Sequence, residues 1–118
     1  MKKIKTYMGD LGANDFDLMA NRFIVRNKEI SFDLSGSDED GGRFNLTGTA
    51  KLLENGIYEG ANLRYRYEGY NYDNDDEIAT ITINELTDNN KKLHVKGVWH
   101  EDGEGYNFEG NLVPWIAK

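Results

Sequence analysis

Large apolar residues alternate with polar residues along most of the chain after residue 22. The clearest case is 93–112, where two alternating runs flank an acidic turn rich in glycine. Alternation with a period of two, bounded by turn residues, is typical of a half-buried β-hairpin. The same pattern recurs upstream, so it predicts strands at 23–25, 30–35, 44–52, 57–67, 78–86, 93–99 and 106–112.

Glycines recur at one position of this pattern. Gly36, Gly48, Gly97 and Gly110 each lie in the inward phase, one step beyond two large apolar residues. Glycines in register on several strands let a sheet bend sharply and close, which removes exposed strand edges. Together with short connections such as Asn55-Gly56, this predicts an all-β, single-domain, antiparallel up-and-down barrel or barrel-like sandwich of six to eight strands.

Residues 1–22 allow two interpretations. A strand is expected near 3–8, whereas 14–21 fits either a capped short helix or a further strand, because Phe16, Leu18 and Ala20 alternate. A short N-terminal helix could plug one end of a barrel. We therefore expect one domain over 1–118, in which the antiparallel meander covers 23–113.

Composition and charge exclude several classes of function. The 118 residues include no cysteine, which fits a reducing compartment. No apolar run has the length of a signal peptide or a membrane span, so we expect a cytoplasmic protein. The net charge of −7 argues against direct nucleic acid binding and against anionic membranes. The sequence does not indicate an oligomeric state.

The predicted topology sorts the charges. Successive connections of a meander lie at alternate ends, so the connections around residues 36–42, 68–77 and 100–105 share one end. These connections hold eleven of the 21 carboxylates, together with Tyr70 and Tyr72. The opposite end carries Arg26, Lys28 and Lys91. Like charges gathered at one end repel one another and lower stability, which favours a functional reason for them.

Binding of a basic protein is the function that this layout favours. Clustered carboxylates steer a cationic partner, and tyrosine supplies a rigid anchor. We expect contacts from Asp38, Asp40, Tyr72, Asp73, Asp75, Asp76, Glu101 and Asp102. In general character the chain is similar to small acidic inhibitors, such as immunity proteins, that neutralise a basic toxin or nuclease. This similarity lies in size and charge and involves no shared motif.

The residues support three other functions less well. A barrel with an interior lined by Tyr65, Tyr67, Trp99, Tyr106 and Phe108 could bind a small apolar ligand, as lipocalin-like proteins do.

The segment 73–77 offers oxygen ligands for calcium but lacks the spacing of an EF-hand. No motif for nucleophilic, metal-dependent or phosphate chemistry is present. We therefore expect a protein that is not an enzyme and that needs no cofactor or metal.

Overall fold

The computed structural model describes residues 5–13, 16–38, 42–68, 76–88 and 91–115, and for residues 38, 67, 68 and 76 it describes the backbone. All regular structure in these ranges is β-strand. The strands are β1 (Lys5–Asp10), β2 (Gly12–Ala13), β3 (Phe16–Val25), β4 (Glu29–Asp38), β5 (Arg43–Leu52), β6 (Tyr58–Glu68), β7 (Asp76–Asp88), β8 (Leu93–Glu101) and β9 (Glu104–Pro114).

The strands form a closed antiparallel barrel. From β3 to β9, each strand pairs with the next strand in the chain. β1 closes the barrel because it pairs with β3 on one side and with β9 on the other, where Met8 lies opposite Val113. Eight strands make the wall, and the two-residue β2 adds a short pairing to β9. The predicted all-β, up-and-down barrel is therefore confirmed.

The N-terminal part of the chain contributes strands to the wall. The helix considered for 14–21 is wrong for its described part, because residues 16–21 belong to β3. Leu18 and Ala20 point inward, and a bulge at Asn21 then shifts the phase so that Phe23 also points inward. The bulge lets two alternating runs of opposite phase form one strand. The meander thus begins at Phe16, earlier than the predicted start at residue 23.

The inward glycines allow close approach between strands. Gly36 lies opposite Phe44 and Gly97 lies opposite Phe108 across their ladders. A Cβ atom at Gly97 would lie 2.2 Å from the main-chain oxygen of Thr82 and 2.6 Å from the Phe108 ring. The neighbouring backbone therefore occupies the space of a side chain, and the aromatic ring covers the glycine. This arrangement explains the strong coiling that closes the wall.

Strand β6 also changes phase. The ladder between β6 and β7 shifts between Gly60 and Leu63, and Asn62 adopts the left-handed backbone conformation with φ of 55°. The main-chain N–H of Asn62 donates to Thr80 Oγ1 at 3.3 Å. Because of this bulge, Glu59 is exposed although simple alternation with Leu63 would point it inward.

Candidate functional site

Three connections leave the barrel at one end, which we call the acidic end. They join β4 to β5, β6 to β7 and β8 to β9, and the antiparallel order of these strands puts all three connections on the same side. Asp38 is the last residue of β4, and Asp76 is the first residue of β7. The strand order thus puts the strand termini that flank these three connections at one end, as expected for a meander.

The structure places half of the predicted contact residues. The backbones of Asp38 and Asp76 lie at strand termini of the acidic end, and Glu101 and Asp102 lie at the β8–β9 turn. The other four predicted residues lie outside the described residues, and they are Asp40, Tyr72, Asp73 and Asp75.

The β8–β9 turn holds its carboxylates in a defined geometry. Glu101 pairs with Glu104, so the loop consists of Asp102 and Gly103 alone. Both loop residues have positive φ, at 51° and 79°. This is the two-residue turn that Asp-Gly sequences favour, because its twist matches that of the flanking strands. The turn brings the Asp102 side chain next to the end of β8.

A cluster of three carboxylates forms at this end. One side-chain oxygen each from Glu77, Glu101 and Asp102 lies within 4.8 Å of the other two. Glu77 is absent from the predicted contact residues. The alternation of β7 could have indicated it, because Ala79 is inward and a step of two toward the strand terminus reaches Glu77 at the rim of the barrel. We call Glu77, Glu101 and Asp102 the rim cluster.

Glu101 differs from the other two members. Its Oε2 accepts a hydrogen bond from the hydroxyl of Tyr65 at 2.5 Å, and its Oε1 accepts one from the indole N–H of Trp99 at 2.9 Å. Tyr65 and Trp99 are buried, with 3% and 1% of their surface exposed. Both oxygens of Glu101 therefore satisfy donors of the core, which gives this residue a structural role. Glu77 and Asp102 are the members better placed to meet a partner.

Beneath the rim cluster lies a group of packed aromatic rings. Trp99 contacts Phe16, Phe44 and Tyr65 edge to face, with ring centroids 5.2–5.5 Å apart. Tyr106 packs against Phe16 at 5.7 Å and donates a hydrogen bond to Glu104. Such edge-to-face contacts are favourable beyond the area that they bury.

Several of these aromatic residues are the ones predicted to line a ligand site. Tyr65, Trp99 and Phe108 are almost fully buried, and Tyr65 and Trp99 contact other rings of the core. The side chain of Tyr67 lies outside the described residues. In the described part of the chain, no observation favours a small-molecule site between these rings, which act as core.

Comparison with known proteins does not identify the chain. It matches no family model, and no curated protein or solved structure is similar enough to count as a relative. The described ranges contain no helix with the length and apolar character needed to cross a membrane.

Two ion pairs between described residues lie away from the rim cluster. The two ion pairs between described residues join Lys5 to Asp88 at 3.1 Å and His94 to Glu109 at 2.8 Å. Neither pair reaches the rim cluster. Arg43 and Arg66 stand on the outer wall near the same end, opposite Glu68 and Asp76 in their ladders.

The rim cluster has the ligand chemistry of a hard cation, since carboxylate oxygens are the ligands that calcium prefers. Calcium takes six to eight oxygen atoms, however, and both oxygens of Glu101 already accept hydrogen bonds from the core. Three carboxylates of this kind do not by themselves form a metal site.

Proposed function

We propose that the chain is a non-catalytic binding protein whose acidic end binds and neutralises a basic partner protein. The observation that carries the proposal is the convergence of Glu77, Glu101 and Asp102 within 4.8 Å. Like charges at this distance repel one another, and the hydrogen bonds that explain the position of Glu101 do not explain why Glu77 lies beside it. A lysine or arginine of a partner would relieve the repulsion by pairing with them.

The closed barrel supports this role because it offers a rigid base. The rim cluster belongs to two strand termini and a two-residue turn, and aromatic packing holds those strands from below. A rigid binding surface loses little conformational freedom on association, which favours tight and specific binding. The predicted contacts at Asp40, Tyr72, Asp73 and Asp75 belong to the same proposal, with Tyr72 as an anchor among the carboxylates.

The partner is defined by its chemistry. It would present a basic surface, as nucleases and many toxins do at the site that binds their anionic substrate. An acidic protein that covers such a site would act as an inhibitor of the immunity type. The lack of cysteine fits action in the cytoplasm, where disulfides are rare.

The proposal is tested with the full chain and two matched variants. In the first variant, Glu77→Lys and Asp102→Lys reverse two charges of the rim cluster. In the second, Glu54→Lys and Glu85→Lys make the same change of net charge at exposed positions near the opposite end. Each protein is immobilised and exposed to an extract of the source cells at low salt, in the presence of a chelator. Bound proteins are then eluted with rising salt and identified by mass spectrometry.

We expect one basic protein to bind the wild type and the second variant and to be lost from the first. With the purified partner, the first variant should bind about a hundredfold more weakly, since removing one member of a charge pair at an interface costs roughly 2–5 kcal/mol. Equal retention by all three proteins would contradict the proposal, and so would the absence of any basic protein in the eluate.

A further inference from the structure

The outer wall at the closure of the barrel carries a group of exposed apolar side chains. Met8, Met19, Val113 and Trp115 are 39%, 44%, 43% and 44% exposed. They are four of the seven large apolar residues that are exposed in the described part of the chain. We call these four residues the seam patch. Scattered single exposures are ordinary, whereas a contiguous group marks an interaction surface.

The strand register shows that the seam patch is contiguous. Met8 of β1 lies directly opposite Val113 of β9. Met19 of β3 lies opposite Asp10, two residues along β1 from Met8, which makes Met8 and Met19 diagonal neighbours. The main-chain N–H of Trp115 donates to the main-chain oxygen of Thr6 at 2.8 Å, which places this residue beside β1, and its ring contacts Arg22 of β3.

Charges of opposite sign flank the seam patch. Arg22 adjoins Met8 in the β1–β3 ladder, and its guanidinium carbon lies 5.9 Å from the centre of the ring of Trp115, the member of the patch farthest from the acidic end. Toward the acidic end stand Asp10 on β1 and Glu109 on β9, of which Glu109 also contacts His94 within the same chain. Along the barrel axis, the surface therefore presents a cation at one side, apolar side chains in the middle and carboxylates at the side toward the acidic end.

Such a surface is complementary to itself. A two-fold axis through the apolar centre and perpendicular to the barrel axis places the cationic side of one copy against the acidic side of the other. The same rotation points the two acidic ends in opposite directions, which keeps their like charges apart. This orientation therefore limits the repulsion between two copies that each carry a net charge of −7.

We propose that the seam patch is the interface of a symmetric dimer of this chain, with Met8 and Val113 near the two-fold axis. Arg22 of one copy faces Asp10 of the other, and the Trp115 rings flank the centre. Tryptophan and arginine are the residues most often found to dominate interface energetics, which fits their position here. The dimer leaves both acidic ends free.

The test is sedimentation equilibrium of the purified full chain over a range of concentrations. We expect a species of about 27 kDa, twice the chain mass of 13.5 kDa. Met8→Lys with Val113→Lys should give a monomer, with a dissociation constant raised at least tenfold. The matched control is Ile78→Lys with Leu53→Lys, which places the same charges at residues that are 53% and 41% exposed and lie away from the seam patch. The control should dimerise as the wild type does.

A charge exchange tests the orientation. Arg22→Asp and Asp10→Arg should each weaken the dimer severalfold, and the two changes combined should restore it, because the pair is then re-formed across the two-fold axis. Circular dichroism verifies that each variant is folded. A wild type that stays monomeric at high micromolar concentration would overturn the proposal. Equal loss of dimer in the control, or a combined variant weaker than either single one, would do the same.

Discussion

The indole N–H of Trp99 donates a hydrogen bond to Oε1 of Glu101 at 2.9 Å, although the two residues are only two positions apart on β8. Both side chains point to the interior phase of the strand, so the carboxylate lies at the rim directly beyond the ring. The arrangement links the core of the barrel to its acidic end, because the same carboxylate accepts from Tyr65 and belongs to the rim cluster.

Replacement of Glu101 should destabilise the fold. In Glu101→Ala the buried N–H of Trp99 loses its acceptor, and a buried donor without a partner costs roughly 1–3 kcal/mol. We expect the free energy of unfolding in urea to fall by about 2 kcal/mol. Glu101→Gln should lose less, since its amide oxygen can still accept from Trp99. Asp102→Asn is the control and should stay within about 0.5 kcal/mol of wild type, because asparagine also tolerates positive φ. Equal stability of Glu101→Ala and wild type would contradict the structural role.

Gly97 should not tolerate a side chain. In Gly97→Ala the new Cβ would meet the main-chain oxygen of Thr82, which cannot move without disturbing the β7–β8 ladder. We expect a loss of about 3 kcal/mol in the free energy of unfolding, at the upper end for overpacked sites. Gly105→Ala is the matched control, because its nearest neighbour is a side-chain methyl of Val98 at 3.2 Å. If both variants lose the same stability, close strand approach is not the reason for the glycine.

Neutralising Glu77 should stabilise the protein. Glu77→Gln removes one of the three clustered charges, so the free energy of unfolding should rise by about 0.5 kcal/mol at low salt. The gain should vanish near 1 M salt, where screening acts over about 3 Å. Glu85→Gln on the same strand is the control and should give no gain, since Glu85 lies opposite Lys96. A loss of stability in Glu77→Gln would show that the rim cluster is not strained by repulsion.

Stability should decrease at alkaline pH through Tyr7 and Lys5. Burial raises the pKa of the Tyr7 hydroxyl above 10.0, and the nearby Asp88 carboxylate raises it further. The hydrogen bond from Lys5 to Asp88, and the attraction between their charges, raise the pKa of Lys5 above 10.5. Both groups keep their protons longer in the folded state, so their contribution is complete below about pH 10 and is lost as the pH rises through the folded-state values.

The measurement is the melting temperature as a function of pH. Asp88→Asn removes the main cause of the raised pKa of Lys5 and part of the cause of the raised pKa of Tyr7. The melting temperature of this variant should therefore fall less steeply above about pH 10. Glu54→Gln, in an exposed turn, should follow the wild-type curve. An Asp88→Asn curve parallel to that of wild type would contradict the assignment. The difference in phenolate absorbance between wild type and Tyr7→Phe reports the titration of Tyr7 directly.

The local alternation of apolar and polar residues was enough to predict much of the architecture. Alternation at Ala79, Ile81 and Ile83 gave the correct inward face of β7, and the glycines marked the places of close strand approach. Alternation failed where a bulge changes the phase, at Asn21 and Asn62, because a bulge is stabilised by the partner strand as much as by its own residues. The helix considered for 14–21 is wrong over residues 16–21, because pairing with β4 decides the conformation of these residues.

By itself, the sequence determined the alternation of apolar and polar residues, the tight turns, and the concentration of carboxylates in every second connection. These properties depend on residues that are close together in the chain. Only the tertiary structure decided which side chains meet across the barrel. Glu77 lies close to Glu101 and Asp102 because β7 and β8 are paired near the rim. Glu101 accepts hydrogen bonds from the core because the polar atoms of Tyr65 and Trp99 lie next to its carboxylate. Met8 meets Val113 because the first strand closes on the last, a contact that depends on the curvature of the whole sheet.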